Sequence, residues 1–273
     1  VPGPLVDAAA LRDLLQAGRP VTVLDVRYRM GGPPGRAAFE AGHVPGAAYV
    51  DLDADLAAPP GAGGRHPLPP VSVLQAALRR GGVRTGVPVV VYDDWSGHAA
   101  ARCWWLLRWA GVEDVRVLDG AWPAWVAAGG AVETGPGATT PPGDVVVRPG
   151  GMPVVEADRL LDVDVLVDAR APERWRGEVE PVDPVAGRVP GAVNVPTSAN
   201  LGPDGRFLPA ARLSAVYGVV GAVPGADVAA YCGSGVTACH DVLALELAGV
   251  RAALYPGSWS GWIADPARPV ERG

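Results

Sequence analysis

Short, mainly apolar runs alternate along this chain with longer stretches in which apolar residues recur every three or four positions. The runs at 21–26, 87–92 and 115–118 predict buried strands, and the periodic stretches at 71–80 and 99–110 predict helices. The second half repeats the scheme, with strands predicted at 165–169, 227–231 and 252–255 and helices at 213–220 and 236–248. Strands alternating with helices predict an α/β architecture: a mainly parallel sheet with helices on both faces. Ligands of such sheets bind beyond the carboxyl ends of the strands.

The alternation is written twice. Val23–Leu24–Asp25–Val26–Arg27 returns as Leu166–Val167–Asp168–Ala169–Arg170, and Gly42–His43–Val44–Pro45–Gly46–Ala47 as Gly187–Arg188–Val189–Pro190–Gly191–Ala192. Val89–Val90–Val91–Tyr92–Asp93 returns as Val228–Ala229–Ala230–Tyr231–Cys232, and Ala110–Gly111–Val112 as Ala248–Gly249–Val250. Gly120–Ala121–Trp122–Pro123–Ala124–Trp125 returns as Gly257–Ser258–Trp259–Ser260–Gly261–Trp262. Matches in one order, separated by loops of different length, are the signature of a duplicated domain. The expected division is a first domain over 1–133, a Gly-, Pro- and Thr-rich linker over 134–152 and a second domain over 153–273.

Composition narrows the function classes. The 273 residues are 49% hydrophobic and carry a formal net charge of −6, which argues against broad nucleic-acid binding. All 23 basic residues are arginine, a bias that reads as the source genome's rather than as a function. No apolar run approaches the ~20 residues of a membrane span. The start, Val1–Pro2–Gly3–Pro4, lacks the basic-then-apolar character of a secretory signal. Three cysteines, Cys103, Cys232 and Cys239, form neither a disulfide framework nor a metal-ligand spacing, so a cytoplasmic setting without a metal or organic cofactor is expected.

The chemistry concentrates in one segment. A short apolar strand ending at Tyr231 delivers Cys232 into the small-residue loop Gly233–Ser234–Gly235. Val236, Cys239, Leu243 and Leu247 then continue at helical spacing. A thiol there faces free backbone N–H groups and the positive end of a helix, which favour thiolate and a bound anion. Taken alone, the segment is compatible with sulfur transfer, a cysteine phosphatase, a cysteine hydrolase or a non-catalytic relay. A phosphatase needs an arginine at the loop's end, and here none occurs before Arg251.

The duplicated Asp-x-Arg, Gly-His-x-Pro-Gly-Ala and Gly-x-Trp-x-x-Trp features, with one cysteine loop, resemble the two-domain rhodanese-type sulfurtransferases over essentially the whole chain. The resemblance implies two tandem rhodanese-like domains. The first is catalytically inactive, with Asp93 at the cysteine position. The loop Cys232–Gly233–Ser234–Gly235–Val236–Thr237 is similar to that of the 3-mercaptopyruvate sulfurtransferase branch; the thiosulfate-using branch carries basic residues there. It implies that Cys232 attacks the donor sulfur and becomes a persulfide, which a thiol, cyanide or a thioredoxin-like reductant then discharges. Gly233 and Gly235, with Val236 and Thr237, would shape the loop around the anionic sulfur.

The resemblance also implies a relay of Ser234, His66 and Asp53, which would bring a proton to the departing enolate. It implies that Arg174 holds the donor's acid group. The branch carries a second donor-binding arginine a few residues later. Here that stretch reads Glu180–Pro181–Val182–Asp183, and Arg188, in place of the motif's histidine, is the candidate for the missing charge. The thiosulfate:cyanide reaction is the close alternative. The paired tryptophans, the Asp-x-Arg pairs, Cys103 and Cys239 are expected to be structural.

Overall fold

The computed structural model describes residues 3–137 and 141–273; three residues of the predicted linker, 138–140, lie outside the described residues. Contacts divide the chain into two compact units. One is Val1–Ala58, Pro69–Met152 and Pro203–Arg206; the other is Pro59–Leu68, Pro153–Gly202 and Phe207–Gly273. The division is spatial rather than sequential. Residues 59–68, which stand in the first half of the sequence, group with the second unit.

The first unit runs β1 (Leu5–Val6), α1 (Ala8–Gln16), β2 (Thr22–Asp25), α2 (Gly35–Ala41), β3 (Ala48–Tyr49), α3 (Leu52–Asp55), α4 (Val71–Arg80), β4 (Val89–Tyr92), α5 (His98–Trp109), β5 (Val115–Leu118) and α6 (Ala121–Ala127). Its sheet has the order β1-β5-β4-β2-β3 and every pairing is parallel. The central strand β4 is buried at all its positions, as an unbroken Val-Val-Val-Tyr run in a covered parallel sheet must be. Helix α5 packs on β4 and β5. After the sheet, the chain is tied along this unit by Gly143 N–H to Arg79 O (2.7 Å) and Arg148 N–H to Ala110 O (2.9 Å).

The second unit runs β6 (Val165–Asp168), α7 (Pro172–Trp175), β7 (Val193–Asn194), α8 (Ala210–Val219), β8 (Val228–Tyr231), α9 (Ala238–Leu247), β9 (Ala252–Leu254) and α10 (Ser258–Trp262), with 3-10 turns at Ala157–Asp162 and Thr197–Asn200. Its parallel sheet has the order β7-β6-β8-β9, so β8 is flanked on both sides and its carboxyl end is held at the middle of the sheet edge. Helix α9 packs on β8, β9 and α8. It starts at Ala238, two residues later than its apolar spacing predicts. Val236 therefore belongs to the loop, where its burial imitates helical periodicity.

The repeated motifs are the joints of both units. Asp25 and Arg27 form a buried ion pair at 2.6 Å, and Asp168 and Arg170 form its counterpart at the same distance. Each guanidinium also lies 4.8 Å from a tryptophan ring, Arg27 on Trp122 and Arg170 on Trp259. Pairing and stacking explain why the Asp-x-Arg and Trp motifs recur together. Such buried charges persist only when both partners are present. Among the described residues no helix is long and apolar enough to cross a membrane.

Candidate active site

The loop from Cys232 to Thr237 leaves the carboxyl end of β8 and closes on the start of α9. Cys232 is buried. Its Sγ accepts a hydrogen bond from Gly235 N–H at 3.1 Å, so one amide of the loop already points at the sulfur. Gly235 has φ +82°, and a Cβ there would collide with the Pro256 carbonyl. Both the left-handed backbone and the close approach demand glycine. Thr237 is the N-cap of α9 and half-buried, and Val236 is buried beside it.

The segment that opens α10 closes the loop from below. Trp259 N–H donates to Cys232 O (2.9 Å) and Ser260 N–H to Gly233 O (3.0 Å). Ser258 accepts from Cys232 N–H at 3.0 Å, and its hydroxyl has two acceptors within reach, Tyr255 O at 3.1 Å and Cys232 Sγ at 3.9 Å. Ser258 has φ +51°, a strained conformation for a residue with a side chain. The matching position of the first unit is Ala121, with φ 57° and no hydroxyl.

The cradle's capacity is visible in the first unit, where Asp93 replaces the cysteine. Its Oδ1 accepts from Trp95 N–H (2.9 Å) and Gly97 N–H (2.8 Å), and its Oδ2 from Ala99 N–H (2.8 Å) and Ala100 N–H (2.9 Å). Burial pushes this carboxyl up from its usual range, and those amides oppose the shift. The strand–loop–helix turn of this fold thus collects backbone donors around one anion. In the first unit the aspartate's own side chain fills that place.

His66 and Ser234 meet: His66 Nδ1 lies 2.8 Å from Ser234 Oγ. His66 is half-buried and Ser234 buried. Gly64 (φ +100°) lets the histidine's loop lie close, since a Cβ there would be 2.6 Å from Gly257 O and 2.9 Å from Ser260 Oγ. Arg65 N–H then donates to Ser260 Oγ at 3.0 Å. Asp53 sits exposed in the first turn of α3, in the first unit.

Arg174, on α7, is held by two acids. Its Nε and Nη2 donate to Glu180 at 3.1 and 2.6 Å, and Nη2 also reaches Asp183 Oδ2 at 3.3 Å. Asp183 Oδ1 is bonded in turn to Arg65 Nη1. Burial alone would raise Glu180, but Arg174 and the backbone N–H groups of Asp183 and Val182 outweigh it and hold Glu180 below its usual range. Burial lifts Asp183 above its usual range by more than Arg65 lowers it, with Glu180 adding repulsion.

Arg188 is occupied elsewhere. It pairs with Glu271, donates to Gly273 O (2.7 Å) and Trp175 O (3.3 Å), and lies 4.1 Å over the Trp175 ring. None of these partners belongs to the cysteine loop. Arg65, Glu180 and Asp183 escaped the sequence reading. The available signal was that Arg65 directly precedes the candidate His66, behind Gly63 and Gly64.

The rhodanese-like domain family matches residues 7–128 and 154–265. A Mycobacterium tuberculosis protein provisionally named thiosulfate sulfurtransferase SseB is 48% identical over 283 residues, covering 98% of this chain and 97% of the relative. A Pseudomonas aeruginosa protein provisionally named 3-mercaptopyruvate sulfurtransferase is 46% identical, covering 92% of each chain. The crystal structure of SseA from Escherichia coli, described as a 3-mercaptopyruvate sulfotransferase, superposes with a TM-score of 0.81 at 30% identity, covering 95% of this chain and 100% of that one. With one matching domain in each half, this chain belongs to the rhodanese family.

Proposed function

We propose that this enzyme moves a sulfur atom from 3-mercaptopyruvate to a thiol or cyanide through a persulfide on Cys232. The single observation that carries the donor assignment is the 2.8 Å contact between His66 and Ser234, two residues from the candidate nucleophile. The Cys232 thiolate attacks the donor sulfur, the sulfur–sulfur bond forms, and the carbon–sulfur bond breaks with its electrons going to carbon. The leaving group is the enolate of pyruvate, which needs a proton. The proton released from the donor's thiol travels through Ser234 and His66 to that carbon, with Asp53 proposed to orient the imidazole. The outer sulfur, now an anion, rests among the amides of the loop and the start of α9. Cyanide then leaves as thiocyanate, or a thiol leaves as a persulfide, and the Cys232 thiolate returns. A thioredoxin-like reductant in a reducing cytoplasm would serve as acceptor.

Thiosulfate is the second reading, favoured by the name of the Mycobacterium tuberculosis relative. Its leaving group, sulfite, needs no proton, so the Ser234–His66 pair would have no work to do. Parallel assays with the two donors and cyanide decide between them. Faster turnover with mercaptopyruvate, and a gain of one sulfur atom on the Cys232 peptide, are expected. Turnover with thiosulfate alone would overturn the donor assignment.

A further inference from the structure

A cavity of about 290 Å³ in the second unit lies against the segment that carries His66. Its lining takes Gly63 and Pro67 from that segment, Tyr255 and Gly257 from the turn between β9 and α10, and two opposite charges, Glu156 and Arg268. Among the described residues that line it, none belongs to the Cys232–Thr237 loop. The volume is at the low end for ligand pockets, which suits a molecule of amino-acid size. The charges meet at Tyr255. Gly257 leaves its hydroxyl room, since a Cβ there would lie 2.9 Å from the phenol oxygen. Burial pushes the phenol up from its ordinary value, Arg268 draws it down and Glu156 pushes it up again, so one hydroxyl feels both charges. Arg268 is held in place: Nη1 donates to Gly261 O at 3.0 Å, and the guanidinium lies 5.3 Å from the Trp262 ring. Asp265 makes a loose pair with it, 3.7 Å from Nε.

We propose that this cavity binds a small α-amino acid as its zwitterion, the carboxylate on Arg268 and the Tyr255 hydroxyl and the ammonium on Glu156. Charge selects the zwitterion. A simple anion would add a third negative charge to Glu156 and Asp265 against one guanidinium, and a simple cation would leave Arg268 without a use; a zwitterion adds no net charge. The site is separate from the thiol loop yet joined to it by packed groups. A Cβ on Gly261 of α10 would lie 3.3 Å from Gly63 C and O, so the two backbones touch. Arg65 N–H is bonded to Ser260 Oγ at 3.0 Å, and the next residue is His66, on Ser234. An occupant against Gly63 and Pro67 therefore presses on both flanks of His66. The amino acid is an effector of the enzyme, neither donor nor acceptor of sulfur.

L-Alanine, propionate and isopropylamine carry both charges, the carboxylate alone and the ammonium alone, and none of them reacts with a thiol. NMR of the full chain follows two signals during their titration. One is the indole N–H of Trp262, which donates to Pro269 O beside Arg268; the other is the His66 ring. Each is assigned by its loss in Trp262→Phe or His66→Ala. L-Alanine is expected to shift both signals saturably, with a midpoint of about 1–10 mM. Propionate and isopropylamine should bind about tenfold more weakly or worse, each lacking one charge-assisted hydrogen bond. The L-alanine response should persist after Cys232 is blocked with iodoacetamide. Arg268→Gln should weaken L-alanine about tenfold. Glu156→Gln should weaken L-alanine and tighten propionate, a gain that misfolding cannot mimic. No saturable shift up to about 100 mM overturns the site. So does propionate matching L-alanine on the unaltered protein, or a response lost when Cys232 is blocked. A shift at Trp262 with none at His66 overturns the effector role.

Discussion

His66 Nδ1 and Ser234 Oγ are 2.8 Å apart although 168 residues of chain separate them. The contact places an imidazole next to a hydroxyl of the Cys232 loop, as the proposed proton relay requires. His66→Ala should lower kcat with mercaptopyruvate by about a hundredfold, the usual worth of a positioned acid–base group. It should slow thiosulfate turnover far less. Ser234→Ala should behave alike, and the double variant should lose little more, because the two act as a unit. Equal losses with both donors would remove the relay.

Cys232→Ser should abolish transfer from either donor, and mass spectrometry should find no added sulfur on the chain. Residual turnover at a rate comparable with the unaltered enzyme would show that the persulfide forms elsewhere.

Gly235→Ala tests the geometry of the cradle. The new Cβ meets the Pro256 carbonyl at a left-handed backbone position, so the loop must shift and withdraw the amide that points at Cys232 Sγ. A stability loss of more than about 1 kcal/mol is expected from the backbone conformation alone, with a larger fractional loss in activity. Thermal unfolding and donor kinetics on the same preparation measure both.

Asp93→Ala should destabilise the first domain although that domain holds no cysteine in its loop. The substitution strands the amides of Trp95, Gly97, Ala99 and Ala100, and each buried donor left unpaired costs about 1–3 kcal/mol. Asp93→Asn keeps one acceptor oxygen and should lose less. A lowered first transition in calorimetry is the expected reading.

Glu180 links stability to acid. Its carboxyl is held below the usual glutamate value of about 4.3 in the folded protein by Arg174 and by backbone amides, against the opposing effects of burial. Its contribution is therefore complete above that value and is lost as pH falls through the lowered one. Glu180→Gln should unfold earlier than the unaltered protein at neutral pH, by about 1.5–3 kcal/mol for a hydrogen bond to a charged group. The gap should close in strong acid, and a gap independent of pH would contradict the assignment.

Much of the architecture could be read from one dimension because its signals are local. The Val-Val-Val-Tyr run of β4 and the helix over Val71–Arg80 follow from periodicity, and the duplication follows from ordered motifs. Very short elements such as β1 and β3 escaped, since two residues carry no period. The start of α9 was misplaced because Val236 is buried for a loop's reasons rather than a helix's.

The amino-acid string alone settles that there are two copies of one domain, that Cys232 stands in one of them and that Asp93 stands in the other. These are matters of residue identity and spacing. It cannot settle which charges face each other. Arg174 and Arg188 look equivalent as letters. Folding gives Arg188 to Glu271 and the Trp175 ring, and it brings Arg65 across 118 residues to share Asp183 with Arg174 beside Cys232. Partners at that separation are chosen by packing, because a guanidinium's use depends on which carboxylate the chain buries next to it.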